Sequence, residues 1–145
     1  MSVGEICQRA VDTAEAGEEV RAAAQRMRSR NVGSLVILDG EGRPIGIVTD
    51  RDLALRVVAE GRSPSEVRVR EVMTAAPHTI VEDTSVEDAL ASMRSFGVRR
   101  LPVVDAAGRL VGLVSLQDIL ALLAQEFGQL SDVIERTSPR SVALT

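Results

Sequence analysis

The sequence predicts an α+β fold of two tandem β-α-β-β-α repeats, packed sheet to sheet with pseudo-twofold symmetry. Its 145 residues are the length of one ordinary domain. The chain resembles itself at a fixed offset of 66 residues, and each copy shows the same alternation of strand and helix patterns. One copy alone holds too few residues for a stable core, so the two copies are expected to bury their sheets against each other.

The repeat is visible without any gap. Positions 3–57 align with positions 69–123, and 17 of the 55 pairs are identical. Conserved register over such a length is the signature of a duplication. The chain is therefore divided into repeat one at 3–57, a linker at 58–68, repeat two at 69–123, and a C-terminal helix with a frayed tail at 124–145.

Each repeat is predicted to open with a short strand, at 11–14 or 79–81, followed by an amphipathic helix. Apolar residues recur there at i, i+3, i+4 and i+7, the spacing of one buried helix face. The predicted buried residues are Val20, Ala23, Ala24 and Met27 in repeat one, and Val86, Ala89, Leu90 and Met93 in repeat two.

The boundaries of these helices also have sequence signals. Thr84-Ser85-Val86-Glu87 is a capping-box pattern that starts the helix of repeat two. Asn31 and Gly97 are expected to end the two helices, because both residues tolerate the left-handed conformation.

The remaining elements follow in the same order in both copies. They are a strand at 35–38 or 101–104, a turn at 39–43 or 105–109, a second strand at 45–49 or 111–115, and a last helix that begins at Asp50 or Leu116. The last helix of repeat two is expected to fray after Arg136, where Ser138-Pro139 breaks it.

Charge and composition exclude several function classes. The net charge of −4 and pI of about 5.1 argue against a nucleic-acid binder, and two Phe without Trp or Tyr leave no base-stacking platform. No apolar run reaches the roughly 20 residues of a membrane span, and no secretory signal is visible. One cysteine and one histidine predict no zinc site, and the lone Cys7 fits a reducing compartment, so a cytoplasmic protein is expected.

The segment that ends each second strand could carry chemistry. A hydroxyl residue leaves the strand and an aspartate follows three positions later, as Thr49 and Asp52 or as Ser115 and Asp118. Both pairs suit helix capping. The same geometry can bind a phosphate at the helix N-terminus and a ribose at the carboxylate. The two interpretations are compatible.

These features together resemble a tandem CBS-domain pair, and the layout resembles free-standing bacterial CBS-pair proteins. The resemblance rests on the duplicated unit, the two Gly-aliphatic-aliphatic-Thr/Ser-x-x-Asp segments, Val72-Met73-Thr74, and the run at 98–105. It implies a regulatory module that binds AMP, ADP, ATP, or sometimes S-adenosylmethionine or NAD, as a regulatory ligand rather than a catalytic cofactor. It also implies a homodimer and leaves the protein target unknown.

The resemblance also implies two clefts between the repeats, each shared by both copies. The main cleft would use Thr79 and the backbone of Val98, Arg99 and Arg100 around adenine, with Thr49 and Asp52 at the ribose and phosphate. The second, weaker cleft would use Thr13, Gly33, Ser34, Ser115 and Asp118. Arg99 and Arg100 favour phosphate binding in the main cleft, whereas Gly33 and Ser34 leave the second uncharged, able to take a neutral adenosyl group or to stay empty.

The sequence leaves one alternative function open. A dimeric scaffold with vestigial clefts is the alternative, and the amphipathic stretch at 119–127 could supply its interface as readily as it could pack in the core. No nucleophile–base pair, metal cluster or carboxylate dyad is visible, so no enzyme activity is expected. Cys7 is expected in the core, and His78 is expected to be exposed without a catalytic role.

Overall fold

The computed structural model describes residues 1–139, and these residues form the predicted α+β fold. Repeat one contains α1 (Val3–Ile6), β1 (Thr13–Glu15), α2 (Val20–Arg30), β2 (Ser34–Leu38), β3 (Pro44–Thr49) and α3 (Asp50–Leu53), which continues as a π-helical turn at Ala54–Val58. Repeat two contains α4 (Val69–Val72), β4 (Thr74–Ala75), β5 (Ile80–Val81), α5 (Val86–Phe96), β6 (Arg100–Val104), β7 (Leu110–Ser115) and α6 (Leu116–Thr137).

The strands form two small sheets with matching registers. The first sheet has the order β1-β2-β3-β4, and the second has the order β5-β6-β7. The first strand of each repeat pairs in parallel with the second, which pairs antiparallel with the third. Ser34 lies opposite Thr49 and Arg100 lies opposite Ser115. In each repeat, the first residue of the second strand therefore lies beside the hydroxyl residue that ends the third strand.

The two repeats exchange their first segments, a feature that the sequence did not predict. Helix α4 and strand β4 of repeat two lie on repeat one, where the Val69 amide donates to the Glu18 carbonyl at 2.8 Å. Helix α1 of repeat one lies on repeat two, where the Val3 amide donates to the Thr84 carbonyl at 2.8 Å. Each half of the molecule is thus completed by the leading segment of the other repeat.

This exchange determines the composition of the two hydrophobic cores. The first core contains Ala14, Val20, Ala23, Met27, Leu35, Ile37, Val48, Val57, Val67, Val69 and Val72. The second core contains Val3, Ile80, Val86, Ala89, Met93, Leu101, Val103, Val114 and Ile119. Leu90 is partly buried, but Ala24 is exposed. The prediction for Ala24 was wrong because the buried stripe of this short helix is narrower than the full i, i+3, i+4 pattern.

The helix boundaries confirm most of the predicted signals. Asn31 and Gly97 end α2 and α5 in the left-handed conformation, with φ of 55° and 67°. The N-cap of α5 is Ser85, whose hydroxyl accepts from the Asp88 amide, so the Thr84 capping box was wrong by one residue. Thr84 is instead engaged through its carbonyl by the leading segment of repeat one.

Helix α6 is the longest element of the protein as described, with 22 residues ending at Thr137 and a C-cap at Ser138. The predicted tail beyond Pro139 lies outside the described residues. Within residues 1–139, no helix combines the length and the apolar character that crossing a membrane requires.

Candidate functional site

The main cleft lies where the end of β3 faces the start of β6. It is a cavity of about 270 Å³ lined by Ser34, Ile47, Thr49, Asp52, Thr74, Val98, Arg99 and Arg100. The structure therefore brings five of the six predicted residues together, from both repeats. An adjoining cavity of about 190 Å³ shares Ile47, Thr74, Val98 and Arg100 and extends past Pro77 and His78. Thr79 lines neither cavity.

Thr49 and Asp52 are held by a reciprocal cap at the start of α3. The Asp52 amide donates to Thr49 Oγ1 at 3.1 Å, and the Thr49 amide donates to Asp52 Oδ2 at 2.9 Å. Within residues 1–139, Asp52 Oδ1 accepts no hydrogen bond, and the guanidinium of Arg56 forms an ion pair with it at 3.9 Å. Capping thus occupies one carboxylate oxygen and leaves the other free to accept hydrogen bonds from a ligand.

The opposite wall of the main cleft carries positive charge. Arg99 and Arg100 are exposed, and among residues 1–139 neither side chain forms an ion pair. The backbone here is fixed, because the Leu116 amide donates to the Arg99 carbonyl at 2.8 Å. With Asp52 opposing them, the charged side chains of the lining sum to +1. This arrangement suits an anionic group such as phosphate.

The second cleft is a cavity of about 320 Å³ on the other side of the pseudo-twofold axis. It brings together Gly33, Ser34, Ser115 and Asp118, as predicted, together with Gln8, Ala10, Val11, Asp12, Asn31, Val32, Arg100, Leu113 and Gln117. The prediction that this cleft is uncharged was wrong, because Arg100 and Ser34 lie near the axis and line both clefts. Asp118 offsets Arg100 in this cleft, and Asp12 is paired with Arg30 at 2.8 Å, so the second cleft lacks the excess of positive charge found in the main cleft.

The cap of the second cleft repeats that of the first. The Asp118 amide donates to Ser115 Oγ at 3.1 Å, and the Ser115 amide donates to Asp118 Oδ2 at 2.9 Å. Here the remaining oxygen is engaged, since Gln8 Nε2 donates to Asp118 Oδ1 at 3.4 Å. Gln8 closes part of the space that stays open beside Asp52.

Repeat one has Gly33 at the position equivalent to Arg99, and the carboxylate of Asp50 lies beside it. A Cβ atom on Gly33 would lie 3.1 Å from Asp50 Oδ2, and the Asp50 amide donates to the Gly33 carbonyl at 2.9 Å. In repeat two the matching pair is Arg99 and Leu116. The backbone contact is the same, but the charge beside it changes from negative to positive.

Thr13 lies apart from the second cleft. It is the first residue of β1, and its carbonyl accepts from Arg26 Nη1 at 2.9 Å. It lines an adjoining open groove of about 710 Å³ in repeat one, which shares Val11 and Asp12 with the second cleft. The ion pairs of Glu18 with Arg26 and Asp12 with Arg30 cross this groove. The ligand contacts that family resemblance implies for Thr13 and Thr79 stay predictions.

Cys7 and His78 occupy structural positions. Cys7 is half-buried against the second core, and this burial raises the pKa of its thiol. His78 is exposed and stacks on Phe96, with ring centroids 3.6 Å apart. Within residues 1–139, no three or more His, Cys, Asp or Glu side chains are grouped as metal ligands.

Two residues of the clefts, Thr74 and Gln8, belong to the exchanged segments and were not predicted from the sequence. Thr74 enters the main cleft because β4 pairs with β3, and Gln8 enters the second cleft because it bridges to Leu113. The two residues are equivalent at the 66-residue offset. This equivalence was the sequence signal available, because a residue that lines one cleft predicts that its equivalent lines the other.

Comparison with known proteins identifies relatives of this architecture. An uncharacterised protein of Methanopyrus kandleri is 43% identical over 120 residues, which are 83% of this chain and 61% of that protein. The match thus spans less than two thirds of this relative. Further curated relatives come from Bacillus subtilis and Arabidopsis thaliana.

Solved structures share the whole fold. Hypoxic Response Protein I, solved with two coordinated zinc ions, has a TM-score of 0.75 and 30% identity, over 83% of this chain and 98% of that one. The CBS domain pair of protein MJ0100, in complex with 5′-methylthioadenosine and S-adenosyl-L-methionine, has a TM-score of 0.76 and 28% identity, over 87% and 98%. Residues 3–59 and 69–125 each match the model of the CBS domain. The chain therefore belongs to the CBS domain family, as a tandem pair.

Proposed function

We propose that this chain is a regulatory module that binds an adenosyl ligand between its repeats. One observation carries the proposal: the main cleft joins the Thr49–Asp52 cap of repeat one to Arg99 and Arg100 of repeat two, which form no ion pair with any described residue. A ligand there contacts both halves, so binding favours one relative placement of the repeats over others. The adenosyl ligands in the related MJ0100 structure support this ligand class.

The proposed roles of the side chains follow from the hydrogen-bond donors and acceptors that the helix cap leaves unused. Asp52 Oδ1 accepts from ribose hydroxyls while Oδ2 keeps the cap. The Thr49 hydroxyl, which accepts from the Asp52 amide, still has its proton to donate to a phosphate oxygen. Arg99 and Arg100 neutralise the phosphate. Val98 supplies an apolar surface for adenine.

The charges of the two clefts favour different ligands. The positive main cleft suits AMP, ADP or ATP, whose phosphates are anionic. The second cleft, where Asp118 offsets Arg100 and Arg30 pairs with Asp12, suits an adenosyl group without phosphate, of which S-adenosylmethionine is one.

The proposed role is binding rather than turnover. The clefts offer hydroxyl, carboxylate and guanidinium groups, and both aspartates already serve as helix caps. Such groups recognise a nucleotide without providing an activated nucleophile. Ligand binding is expected to change the state of a protein target in the cytoplasm.

A dimeric scaffold with vestigial clefts is the competing function. A thermal-shift panel with AMP, ADP, ATP, S-adenosylmethionine and NAD separates the two, because a ligand at 100 times its Kd adds about 2.7 kcal/mol of stability. A selective rise in Tm identifies the ligand of the sensor. A flat panel on ligand-free protein favours the scaffold.

The role of Asp52 has a matched control in the second repeat. Asp52→Ala and Asp118→Ala remove equivalent capping bonds, so each is expected to lower the free energy of unfolding by about 0.3–1 kcal/mol. Only Asp52→Ala is expected to weaken AMP or ATP binding, by about 1–3 kcal/mol, because it also removes the acceptor for ribose. Calorimetric titration measures the affinity, and urea unfolding measures the stability.

Two results would contradict this role. Wild-type-like affinity in Asp52→Ala reduces Asp52 to a helix cap. Equal losses of affinity in both variants attribute the effect to stability alone.

A further inference from the structure

Arg100 is shared by the two clefts, and this sharing limits how many phosphates the protein can bind. Arg100 is the first residue of β6, and it lines the main cleft, the adjoining cavity and the second cleft. Its side chain is exposed and forms no ion pair with any residue among 1–139. An arginine on its flexible stem can therefore turn towards a ligand in either cleft.

The residue equivalent to Arg100 at the 66-residue offset is Ser34, which carries no charge. Ser34 is the first residue of β2 and also lines both clefts. Two equivalent residues that each line both clefts lie on opposite sides of the pseudo-twofold axis. The protein thus has one arginine at a place where a symmetric molecule would have two.

The two clefts differ in the positive charge that they can bring to a phosphate. Arg99 and Arg100 line the main cleft, whereas Arg100 is the one basic residue lining the second cleft in the part of the chain that the structure describes. Asp118 lies in the second cleft and repels an anion, while Asp12 is already paired with Arg30 at 2.8 Å. A phosphate in the second cleft therefore depends on Arg100 alone.

A single phosphate is sufficient to engage both arginines. A phosphate monoester carries a charge of about −1.5 to −2 at pH 7, and two guanidinium groups neutralise it. Arginine contacts a phosphate through two parallel N–H donors, so a bound guanidinium is fixed on one ligand. When a nucleotide in the main cleft holds Arg99 and Arg100, a second phosphate would face Asp118 without an opposing base.

We propose that Arg100 is a shared phosphate-binding residue, so that one cleft at a time binds a phosphate-bearing adenosyl ligand and the other accepts an adenosyl ligand without phosphate. This inference rests on the proposed function and adds to it which ligands are bound together. Two AMP molecules exclude each other. AMP and S-adenosylmethionine, which has a sulfonium cation and no phosphate, bind at the same time, because AMP that holds Arg100 leaves Asp118 free to attract the cation.

The first measurement counts the ligands bound per chain. Calorimetric titration of the wild-type protein with AMP is expected to give one AMP per chain, in the main cleft. Titration of the AMP-loaded protein with S-adenosylmethionine is expected to give one further ligand per chain. Equilibrium dialysis with radiolabelled AMP measures whether the AMP stays bound during the second titration.

Ser34→Arg supplies the second arginine at the axis. This variant is expected to raise the number of bound AMP molecules from one to two per chain, because each cleft then has its own guanidinium. Ser34→Gln is the matched control, since glutamine is long and polar but uncharged, and it is expected to bind one AMP. The urea midpoint of both variants reports whether they are folded.

Arg100→Gln tests the shared residue by removing it, and Arg99→Gln is its control. In the wild type, bound AMP is expected to raise the affinity for S-adenosylmethionine about fivefold or more, the lower end of typical coupling between two sites. Arg99→Gln is expected to weaken AMP binding and to keep this factor, because Arg100 remains. In Arg100→Gln the factor is expected to fall towards one. This comparison does not depend on the folding of Ser34→Arg.

Four results would overturn the inference. They are two AMP molecules bound per wild-type chain with dissociation constants within about tenfold of each other, one AMP per chain in folded Ser34→Arg, release of AMP by S-adenosylmethionine, or the same coupling factor in Arg100→Gln as in the wild type. Each of them leaves the proposed function standing, because AMP still binds. Absence of AMP, ATP and S-adenosylmethionine binding in the wild type and in every variant rejects the proposed function, and the inference with it.

Discussion

The two clefts share their frame and differ in their charge. In each, a hydroxyl at the end of a strand accepts from an aspartate amide at 3.1 Å, and the aspartate accepts in return at 2.9 Å. The wall opposite this cap carries Arg99 in the main cleft and Gly33, beside Asp50, in the second. The comparison teaches that capping fixes the geometry in both repeats, while the charge of each cleft is set by residues that no cap constrains.

The largest expected effect comes from removing the charge that distinguishes the clefts. Arg99 lines only the main cleft, so Arg99→Gln is expected to weaken ATP binding by about 1.5–3 kcal/mol, through the loss of a charge-assisted hydrogen bond. Binding of 5′-methylthioadenosine, which has no phosphate, is expected to stay unchanged. Calorimetric titration with both ligands measures the difference.

Arg94→Gln is the control for Arg99→Gln. Arg94 is exposed on α5 and forms no ion pair among residues 1–139, so its loss changes the net charge equally without touching a cleft. Parallel weakening of ATP and 5′-methylthioadenosine by Arg99→Gln would show that the arginine shapes the cleft rather than binding phosphate.

A second comparison concerns the exchanged segments where they cross β3 and β7. A Cβ on Gly112 would lie 2.8 Å from the backbone oxygen of Gln8, whereas a Cβ on Gly46 would meet the flexible thioether of Met73. Gly112→Ala is therefore expected to lower the free energy of unfolding by about 1–3 kcal/mol. Gly46→Ala is expected to change it by less than about 1 kcal/mol, because methionine can move aside.

Urea unfolding of both glycine variants measures this difference. Equal destabilisation would mean that the two leading segments are equally rigid, which would remove this asymmetry between the repeats.

The smallest expected effect is on the pH dependence of the free energy of unfolding, through an ion pair that repeat one has and repeat two lacks. The hydrogen bond from Arg26, at 2.6 Å, holds the pKa of Glu18 below its ordinary value of 4.5. A carboxyl with a lower pKa in the folded state stabilises the fold fully above the unfolded pKa, and this contribution is lost as the pH falls through the folded pKa. Repeat two has Thr84 and Ser92 at these positions and lacks the pair.

Glu18→Gln is accordingly expected to lower the free energy of unfolding at pH 7 by less than about 1 kcal/mol, as for partly exposed ion pairs, and this loss is expected to shrink as the pH falls below 4.5 through the folded pKa. Exposed Glu60→Gln serves as the control. A loss of the same size at pH 7 and at pH 3 would assign the effect to packing rather than to the ion pair.

The sequence predicted the elements better than their assembly. Helix ends at Asn31 and Gly97 and caps at Thr49 and Ser115 depend on neighbouring residues, so local patterns suffice to predict them. The exchange of α1 and α4 could not be predicted, because a repeat aligned with itself gives the same register whether a segment packs on its own copy or on the other.

The placement of the two copies also explains the wrong predictions about which residues line each cleft. Arg100 was assigned to one cleft by its position in repeat two, but it lies close enough to the pseudo-twofold axis to line both. Thr74 and Gln8 reach the clefts only through the exchange. Which residues line a shared cleft depends on how the two copies are placed, and no single repeat encodes that placement.

The exchange of the leading segments also determines what a single repeat would lack. A polypeptide with one such repeat would have lacked Val69 and Val72 or their counterpart in its own core, and could complete that core only by taking the segment of another molecule. In the tandem chain both leading segments are present, so the reciprocal swap is intramolecular. Because each repeat has its own residues, a difference such as Arg99 against Gly33 has to suit one cleft and not both.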